Sequence, residues 1–301
     1  MRPLVLTGQH RRLRHYTALR YPGGKSKLAA YVKALIKTNK LFDGEYVEPY
    51  CGGAAVALEL LFHEYVSRVH INDISKPIYA FWKSVLDHTD QLCKLIRDTP
   101  LTIRTWDKQK RIFSSESGFN LLELGFATFF LNRTNRSGVF NAGVIGGRDQ
   151  TGRWKIDARF NRQELIFRVE SIAKMRHRIK LTRMDAIKFL MAQSDQWSAN
   201  TLIYLDPPYY KKGRELYYDF YEPRDHERIH QFLTGSFKTK RWIISYDNVE
   251  PIREMYKGRE RLTYAVSYSA RDAREGVEVM FFSDTMQKSP LTSPMKLVKS
   301  N

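Results

Sequence analysis

Cysteine is nearly absent: Cys51 and Cys93 are the only two in 301 residues. Two scattered thiols cannot build a disulfide framework or a zinc site, and they suit a reducing compartment. Long apolar runs are missing as well. No stretch of 18 apolar residues occurs, and the basic N-terminus is not followed by an apolar segment. Neither a membrane span nor a secretion signal is therefore expected. Acidic residues are missing from positions 1–42, which carry ten Lys/Arg. Complete glycine signatures are lacking too. Gly24-Lys25-Ser26 has Leu19 where a phosphate-binding P-loop needs glycine, and no clean strand precedes it, which argues against an ATPase. Gly52-Gly53 lacks the full G-x-G-x-x-G spacing of dinucleotide sites. No convincing metal-ligand cluster is present.

What is abundant is positive charge. Fifty Lys+Arg against 32 Asp+Glu leave a formal charge of +18, which points to a polyanionic partner, most simply nucleic acid. The excess is concentrated in residues 1–42 and in 133–162, where seven Lys/Arg face only Asp149 and Asp157. A hydrophobic content of 43% places the chain among globular proteins.

Short apolar, β-prone runs alternate with helical patterns. Strands are expected at Tyr46–Glu48, Arg68–Asn72, Ile179–Thr182, Leu202–Leu205, Trp242–Ser245, Thr263–Tyr268 and Val277–Phe282. Helices are expected at Lys27–Lys37, Ala54–Tyr65, Ala186–Met191 and Arg224–Leu233. This alternation predicts an α/β fold with a mostly parallel sheet covered on both faces. Ser269–Gly276 leaves no room for a crossover helix, so the last two strands form an antiparallel hairpin at the sheet edge. Residues 79–177 break the rhythm. They are mainly helical, with Trp82, Trp106 and the apolar run Leu121–Leu131, and then polar and glycine-dotted from Asn132 to Arg162. They read as an inserted subdomain between 1–78 and 178–288, and residues 1–19 and 285–301, the last of them (289–301) above all, read as flexible tails.

Chemistry concentrates where strands end. Leu202–Leu205 runs into Asp206-Pro207-Pro208-Tyr209. Neither proline can donate to a β-ladder, so the strand stops at Asp206 and offers a carboxylate, carbonyls and an aromatic ring where open α/β sheets bind ligands. Such a set suits an amino group on a flat heterocycle. Val47-Glu48-Pro49-Tyr50-Cys51-Gly52-Gly53 forms a strand, a tight turn and a helix start, which brings backbone close to a ligand or simply makes a turn. Asp73 follows the next strand, placed to accept from ribose hydroxyls or to cap a helix. Asp185 has the same two options, an adenine amino group or the helix at 186. Lys25, held on two glycines, is placed to meet a ligand carboxylate.

The ordered set resembles the Dam-type, class alpha, S-adenosylmethionine-dependent DNA adenine-N6 methyltransferases. The likeness rests on Pro22-Gly23-Gly24-Lys25, Glu48-Pro49-Tyr50-Cys51-Gly52-Gly53, Asn72-Asp73, the insertion with Leu131-Asn132-Arg133-Thr134-Asn135-Arg136-Ser137-Gly138-Val139-Phe140-Asn141, then Asp185 and Asp206-Pro207-Pro208-Tyr209. It covers most of residues 19–283. Tyr50, Cys51 and Gly52-Gly53-Ala54 stand where the family usually has Phe and a Gly-Ala-Gly-like turn. The recognition loop is not closely similar to that of GATC-specific members, which leaves the target sequence open.

The resemblance implies a Rossmann-like, mostly parallel seven-stranded sheet with an antiparallel edge hairpin and an inserted, mainly helical DNA-recognition subdomain. S-adenosylmethionine would lie against Tyr21, Lys25, Glu48, Pro49, Cys51, Gly52, Gly53, Asp73, Asp185 and Asp206, with S-adenosylhomocysteine as product and no metal required. Asp206, Pro207, Pro208 and Tyr209 would serve the reaction. Asp206 and the Pro207 carbonyl would accept from N6, Tyr209 would stack on the ring, and the adenine would be flipped out of duplex DNA. The amide and guanidinium side chains of Asn132, Arg133, Asn135, Arg136 and Asn141 suit base edges or phosphates, and Arg148, Arg153 and Lys155 add cations. A cytoplasmic monomer or weak dimer is expected, with room for a restriction endonuclease counterpart. The alternatives are an RNA methyltransferase acting on adenine N6 or guanine N2, a cytosine-N4 enzyme, and a catalytically silent nucleic-acid-binding module.

Overall fold

The structure is a computed structural model that describes residues 16–20, 28–115, 118–211, 221–267, 275–290 and 296–297. Its eight strands are β1 (Glu45–Glu48), β2 (Arg68–Asn72), β3 (Ile179–Thr182), β4 (Leu202–Leu205), β5 (Trp242–Asp247), β6 (Arg261–Ser267), β7 (Glu275–Phe282) and β8 (Lys296–Leu297). They form one sheet in the order β3-β2-β1-β4-β5-β7-β6-β8. The first five are mutually parallel, and β7 runs antiparallel between β5 and β6. The α/β, Rossmann-like expectation holds, edge pair included.

Alternation along the strands explains why both faces are covered. Tyr46, Leu202, Tyr204, Ile243, Met280 and Phe282 enter one apolar cluster, while Val47, Ile203, Leu205, Ile244, Val279 and Phe281 enter another. Successive side chains of a strand point to opposite faces, so each strand feeds two layers. The first layer is closed by α1 (Leu28–Thr38), α2 (Ala55–Phe62), α3 (Lys76–Asp87) and α6 (Leu121–Thr134). The second is closed by α8 (Ala186–Gln193), α9 (Pro223–Thr234) and α10 (Glu250–Met255). Each deeply buried aliphatic or aromatic side chain contributes about 1.5–3 kcal/mol.

Between β2 and β3 the chain also builds α4 (Thr89–Asp98), α5 (Ile103–Ser114) and α7 (Arg162–Lys174). Helix α6 starts at a capping box, in which Asn120 Oδ1 accepts from the Glu123 N–H (2.9 Å) and Glu123 Oε2 accepts from the Asn120 N–H (3.0 Å). It is buried from Leu124 to Thr134, as a helix without a polar stripe must be. Its packing against α3 makes one continuous core with the sheet. The expected division at residue 79 therefore falls inside α3. The polar stretch after α6 carries one isolated bridge, Asn135 with Val144, rather than a regular hairpin.

Two segments read as tails prove to be partly packed. Ala18 and Leu19 are buried, as is Met286, and the Gln287 N–H reaches Asn39 Oδ1 at 2.8 Å. Lys296–Leu297 then adds β8 to β6.

Candidate active site

The order of the sheet reverses between β1 and β4. Strands β2 and β3 lie to one side of β1, and β4 lies to the other. Ligands of open α/β sheets bind at such a switch point, beyond the carboxyl ends of the strands. The glycine turn follows β1 and the Asp-Pro-Pro-Tyr segment follows β4, so both open onto the same place.

The turn is held by hydrogen bonds on every side. Gly52 (φ +45°) and Ala54 (φ +46°) both have left-handed backbone. Glycine takes this conformation without penalty, whereas alanine adopts it at a cost of roughly 1–2 kcal/mol, which surrounding contacts must offset. The Cys51 N–H donates to Asn72 O (2.9 Å), Trp82 Nε1 to Gly52 O (2.8 Å) and Thr17 Oγ1 to Gly53 O (2.5 Å). Asp73 accepts from the Gly52 N–H with one oxygen (2.9 Å) and from the Ser75 N–H with the other (3.0 Å). Fully buried Asn72 donates to Pro49 O (3.0 Å) and Met184 O (2.9 Å), and accepts from Thr182 Oγ1 (2.8 Å) and the Met184 N–H (3.0 Å). One amide thus ties together the ends of β1, β2 and β3.

Glu48, the last residue of β1, is buried and accepts from the Ala57 N–H at 3.1 Å. Burial pushes its carboxyl up to about 8, and the nearby charge of Asp206 acts in the same direction. Asp185 caps α8, accepting from the Lys188 N–H at 3.1 Å, which is the plainer of its two expected roles.

Asp206 is half-buried and accepts from Ser245 Oγ at 2.8 Å; Ser245 in turn lies 2.8 Å from the Tyr204 hydroxyl. The Asp247 carboxylate accepts from two successive N–H groups, Tyr210 (2.9 Å) and Lys211 (3.1 Å). The Tyr209 hydroxyl donates to buried Glu278 at 2.5 Å, and the Tyr264 hydroxyl donates to the other Glu278 oxygen at 2.8 Å. Asp247 and Glu278 face each other in the β5–β7 ladder. Residues 206–211 are therefore held by side chains from that pair of strands. Pro208 is partly exposed and Pro207 is buried. Tyr209, expected as an open stacking surface, is only 3% exposed. In this conformation it anchors the segment, and stacking on its ring requires that it be uncovered. Nearby, Tyr50 and Tyr221 share a 2.7 Å hydroxyl contact beside buried His226, whose imidazole burial pushes down to about 4.

Tyr21 and Lys25 lie outside the described residues, as does the rest of Pro22–Lys25. The eight residues expected at DNA divide in two. Arg136, Asn141, Arg148, Arg153 and Lys155 are exposed. Arg148 makes a two-pronged ion pair with Asp107 (2.8 and 2.9 Å), and the Arg153 guanidinium sits 5.4 Å over the ring of exposed Trp154. Asn132, Arg133 and Asn135 are buried and bonded within the protein. Asn132 accepts from the Arg20 N–H (2.6 Å) and donates to Arg20 O (2.7 Å) and Gly138 O (3.0 Å). Asn135 accepts from Trp106 Nε1 (2.7 Å) and donates to Val139 O and Phe140 O. Arg133 donates to Ala18 O, and burial pushes its guanidinium down to about 9. These groups fasten the 17–20 segment and the loop after α6 onto the core.

Asn132→Ala is accordingly expected to cost roughly 2–4 kcal/mol, one lost hydrogen bond after another. Calorimetry should show a lowered melting temperature, while DNA affinity per folded molecule stays within threefold. An unchanged melting point with lost affinity would assign Asn132 to base contact instead.

Several residues of the site were not singled out from sequence: Asn72 as a hub, Trp82, Ser245, Asp247 and Glu278. A signal existed for three of them. Ser245 and Asp247 are polar at the end of an apolar strand, and Glu278 interrupts the run Val277–Phe282. Among the described residues no group of His, Cys, Asp or Glu is arranged to hold a metal ion, and no helix is long and apolar enough to cross a membrane.

A parallel sheet reversing at β1/β4, with a glycine turn on one strand and Asp-Pro-Pro-Tyr on the next, is the framework of a doubly wound methyl-transferring enzyme. The chain belongs to the D12 class N6 adenine-specific DNA methyltransferase family, whose model matches residues 21–270. It is similar to the type II methyltransferase M.MjaIII of Methanocaldococcus jannaschii, with 23% identity over 236 residues that span 74% of this chain and 78% of that one. Its reaction is the site-specific methylation of DNA at adenine N6, which makes it an S-adenosylmethionine-dependent enzyme.

Proposed function

We propose that the two strand ends at the switch point divide the work: the turn after β1 holds the methyl donor and Asp206 with its prolines holds the adenine. The observation that carries this is the juxtaposition itself. Glu48 ends β1 and Asp206 directly follows the adjacent parallel β4, paired at Val47 with Ile203, and the Asp206 charge acts on Glu48. The residues fit S-adenosylmethionine by their chemistry. A buried carboxyl whose pKa is raised by burial ionises more readily when a cation arrives, and Asp73 offers acceptors at the end of β2 to hydroxyl groups. In this reading Glu48, Pro49, Cys51, Gly52, Gly53 and Asp73 line the donor site, with Asp185 at its margin. When bound, S-adenosylmethionine supplies a methyl carbon on a sulfonium, an electrophile strong enough to need little activation.

The chain's own task is to prepare the nucleophile. Adenine N6 is poor because its lone pair is delocalised into the ring. Hydrogen bonds from its N–H groups to Asp206 and to the Pro207 carbonyl favour a tetrahedral nitrogen with its lone pair exposed. Catalysis is then orientation and fixed electrostatics. The proton leaving N6 after transfer goes from a cationic nitrogen of very low basicity to Asp206 or to water.

Arg136, Asn141, Arg148, Arg153, Lys155 and Trp154 form the DNA-facing surface of the recognition region. Residues 79–177 are its proposed extent. The decisive experiment is transfer of labelled methyl from S-adenosylmethionine to duplex DNA, followed by digestion to nucleosides, with ribosomal RNA and transfer RNA run alongside. Label in N6-methyldeoxyadenosine at a fixed sequence is expected. Label confined to RNA, or to N4-methylcytosine, would overturn the reading.

Four cations on that surface imply a salt slope of about −3 to −4 in log affinity against log salt. The double variant Arg153→Ala, Lys155→Ala is expected to shallow it by about 2, measured by anisotropy at several salt concentrations. An unchanged slope would remove this loop from the phosphate contacts.

A further inference from the structure

The reading of Asp206 as the acceptor for N6 leaves open what sets the plane of its carboxylate. The terminal torsion of an aspartate is broad and roughly two-fold, so the side chain does not orient itself. Asp206 also sits just past the end of β4 and before two prolines, where no ladder continues to fix it. The neighbouring strand supplies the constraint. Ser245 is fully buried in the middle of the β4–β5–β7 layer, paired with Met280, and its Oγ lies 2.8 Å from Asp206 Oδ1. An ionised carboxylate only accepts, so the serine hydroxyl donates to it. The Tyr204 hydroxyl, 2.8 Å from the same Oγ, is then the donor to the serine. The result is a directed chain, Tyr204 to Ser245 to Asp206, in which each hydroxyl polarises the next. Tyr204 on β4 and Asp206 just past its end lie two residues apart, and Ser245 meets both from the next strand. This geometry exists only because β4 and β5 are neighbours in parallel register, Leu205 beside Ile244.

We propose that Ser245 is a positioning residue for methyl transfer, fixing the Asp206 carboxylate in the orientation that accepts the hydrogen bond of adenine N6, with Tyr204 holding the serine hydroxyl in its donating direction. The serine touches neither substrate. It acts through Asp206, and its contribution is felt after both substrates are bound. Misplacement of a reacting group by about 1 Å is enough to slow a reaction roughly 100-fold, so loss of this constraint should be visible in the chemical step.

The test compares wild type, S245A, S245T and Y204F in single-turnover methylation of duplex DNA with both substrates saturating. Cofactor and DNA affinities are measured separately, and melting temperatures verify folding. S245A is expected to slow the chemical step about 10–100-fold, with both affinities within about threefold of wild type. S245T, which keeps the hydroxyl, should recover to within about threefold, and Y204F should fall between. The acid limb of the S245A pH–rate profile should move to higher pH, because the ionised carboxylate has lost a donor. A merely structural serine would leave that limb in place. An S245A rate within threefold of wild type, an unmoved acid limb, or a rate lost only in step with affinity would overturn the proposal. Should S245A fail to fold, Y204F decides alone: a wild-type rate in that variant overturns the relay. The inference rests on the Asp206 assignment, and the two failures are separable. Wild-type methylation that survives loss of Asp206 overturns both, whereas Asp206-dependent methylation indifferent to Ser245 overturns only this one.

Discussion

Asp206→Ala is expected to abolish methyl transfer, lowering the single-turnover rate by about 10³-fold or more while cofactor affinity stays within roughly tenfold. The magnitude follows from what the carboxylate does. Removing one preorganised group that answers developing charge typically costs 10²- to 10³-fold. Alanine also removes the acceptor that holds N6 in line, which adds an orientational loss. The small effect on cofactor binding follows from the architecture. In the proposed division the donor site lies at the β1 turn, whose hydrogen bonds with Asn72, Asp73, Trp82 and Thr17 do not pass through Asp206. Asp206→Asn separates charge from shape. The amide oxygen can still accept from Ser245 while the negative charge is gone, and an intermediate loss of about 10²-fold is expected. Single-turnover kinetics with calorimetric binding of the cofactor check both. Retained turnover in the alanine variant would take Asp206 out of the reaction, and with it the division of labour between the two strand ends.

Sequence disclosed those features whose cause is local. β2, β3 and β4 have the bounds expected of them, and Asn72-Asp73 ends β2 and Pro207-Pro208 end β4 chemically. The glycine turn and the strand-end acids could be read for the same reason. Features decided by distant partners could not. β5 continues past Ser245 to Asp247 because the antiparallel ladder with β7 extends to Glu278, and a ladder's length depends on both strands. β8 has two residues, too few for any periodicity to show. Asn132 and Asn135 show the limit most clearly. An asparagine that would read adenine and one that closes a loop have the same side chain and the same neighbours in sequence. Their internal partners, Arg20, Trp106 and the Val139–Phe140 carbonyls, come from distant or folded-back segments that the local sequence does not show. Tyr209 follows the same logic, because Glu278, 69 positions away, takes its hydroxyl.

Asn72 carries the largest expected effect on stability. Its side chain has two donors and two acceptor positions, and all are used within the described residues: Pro49 O, Met184 O, Thr182 Oγ1 and the Met184 N–H. Being 0% exposed, it leaves partners that water cannot easily reach. In Asn72→Ala, four polar groups at the carboxyl ends of β1, β2 and β3 lose a partner at once. Each buried unsatisfied group costs about 1–3 kcal/mol, although relaxation and water entry recover part of it, so a net loss of roughly 3–5 kcal/mol is expected. For a chain of this size that corresponds to a melting point lower by about 10 °C. The damage is not confined to stability, because Pro49 O and the Cys51 N–H anchor the glycine turn to this residue from both its side chain and its backbone. Cofactor affinity should fall well beyond tenfold in the variant that is still folded, in contrast to Asp206→Ala, where affinity persists and chemistry is lost. Asn72→Asp should fare no better, since a carboxylate would face the Pro49 and Met184 carbonyls with no proton to give. Thermal denaturation followed by cofactor titration below the variant's melting point measures both effects. A melting point within 2 °C of wild type, or unaltered cofactor affinity, would mean that the three strand ends keep their arrangement without this amide.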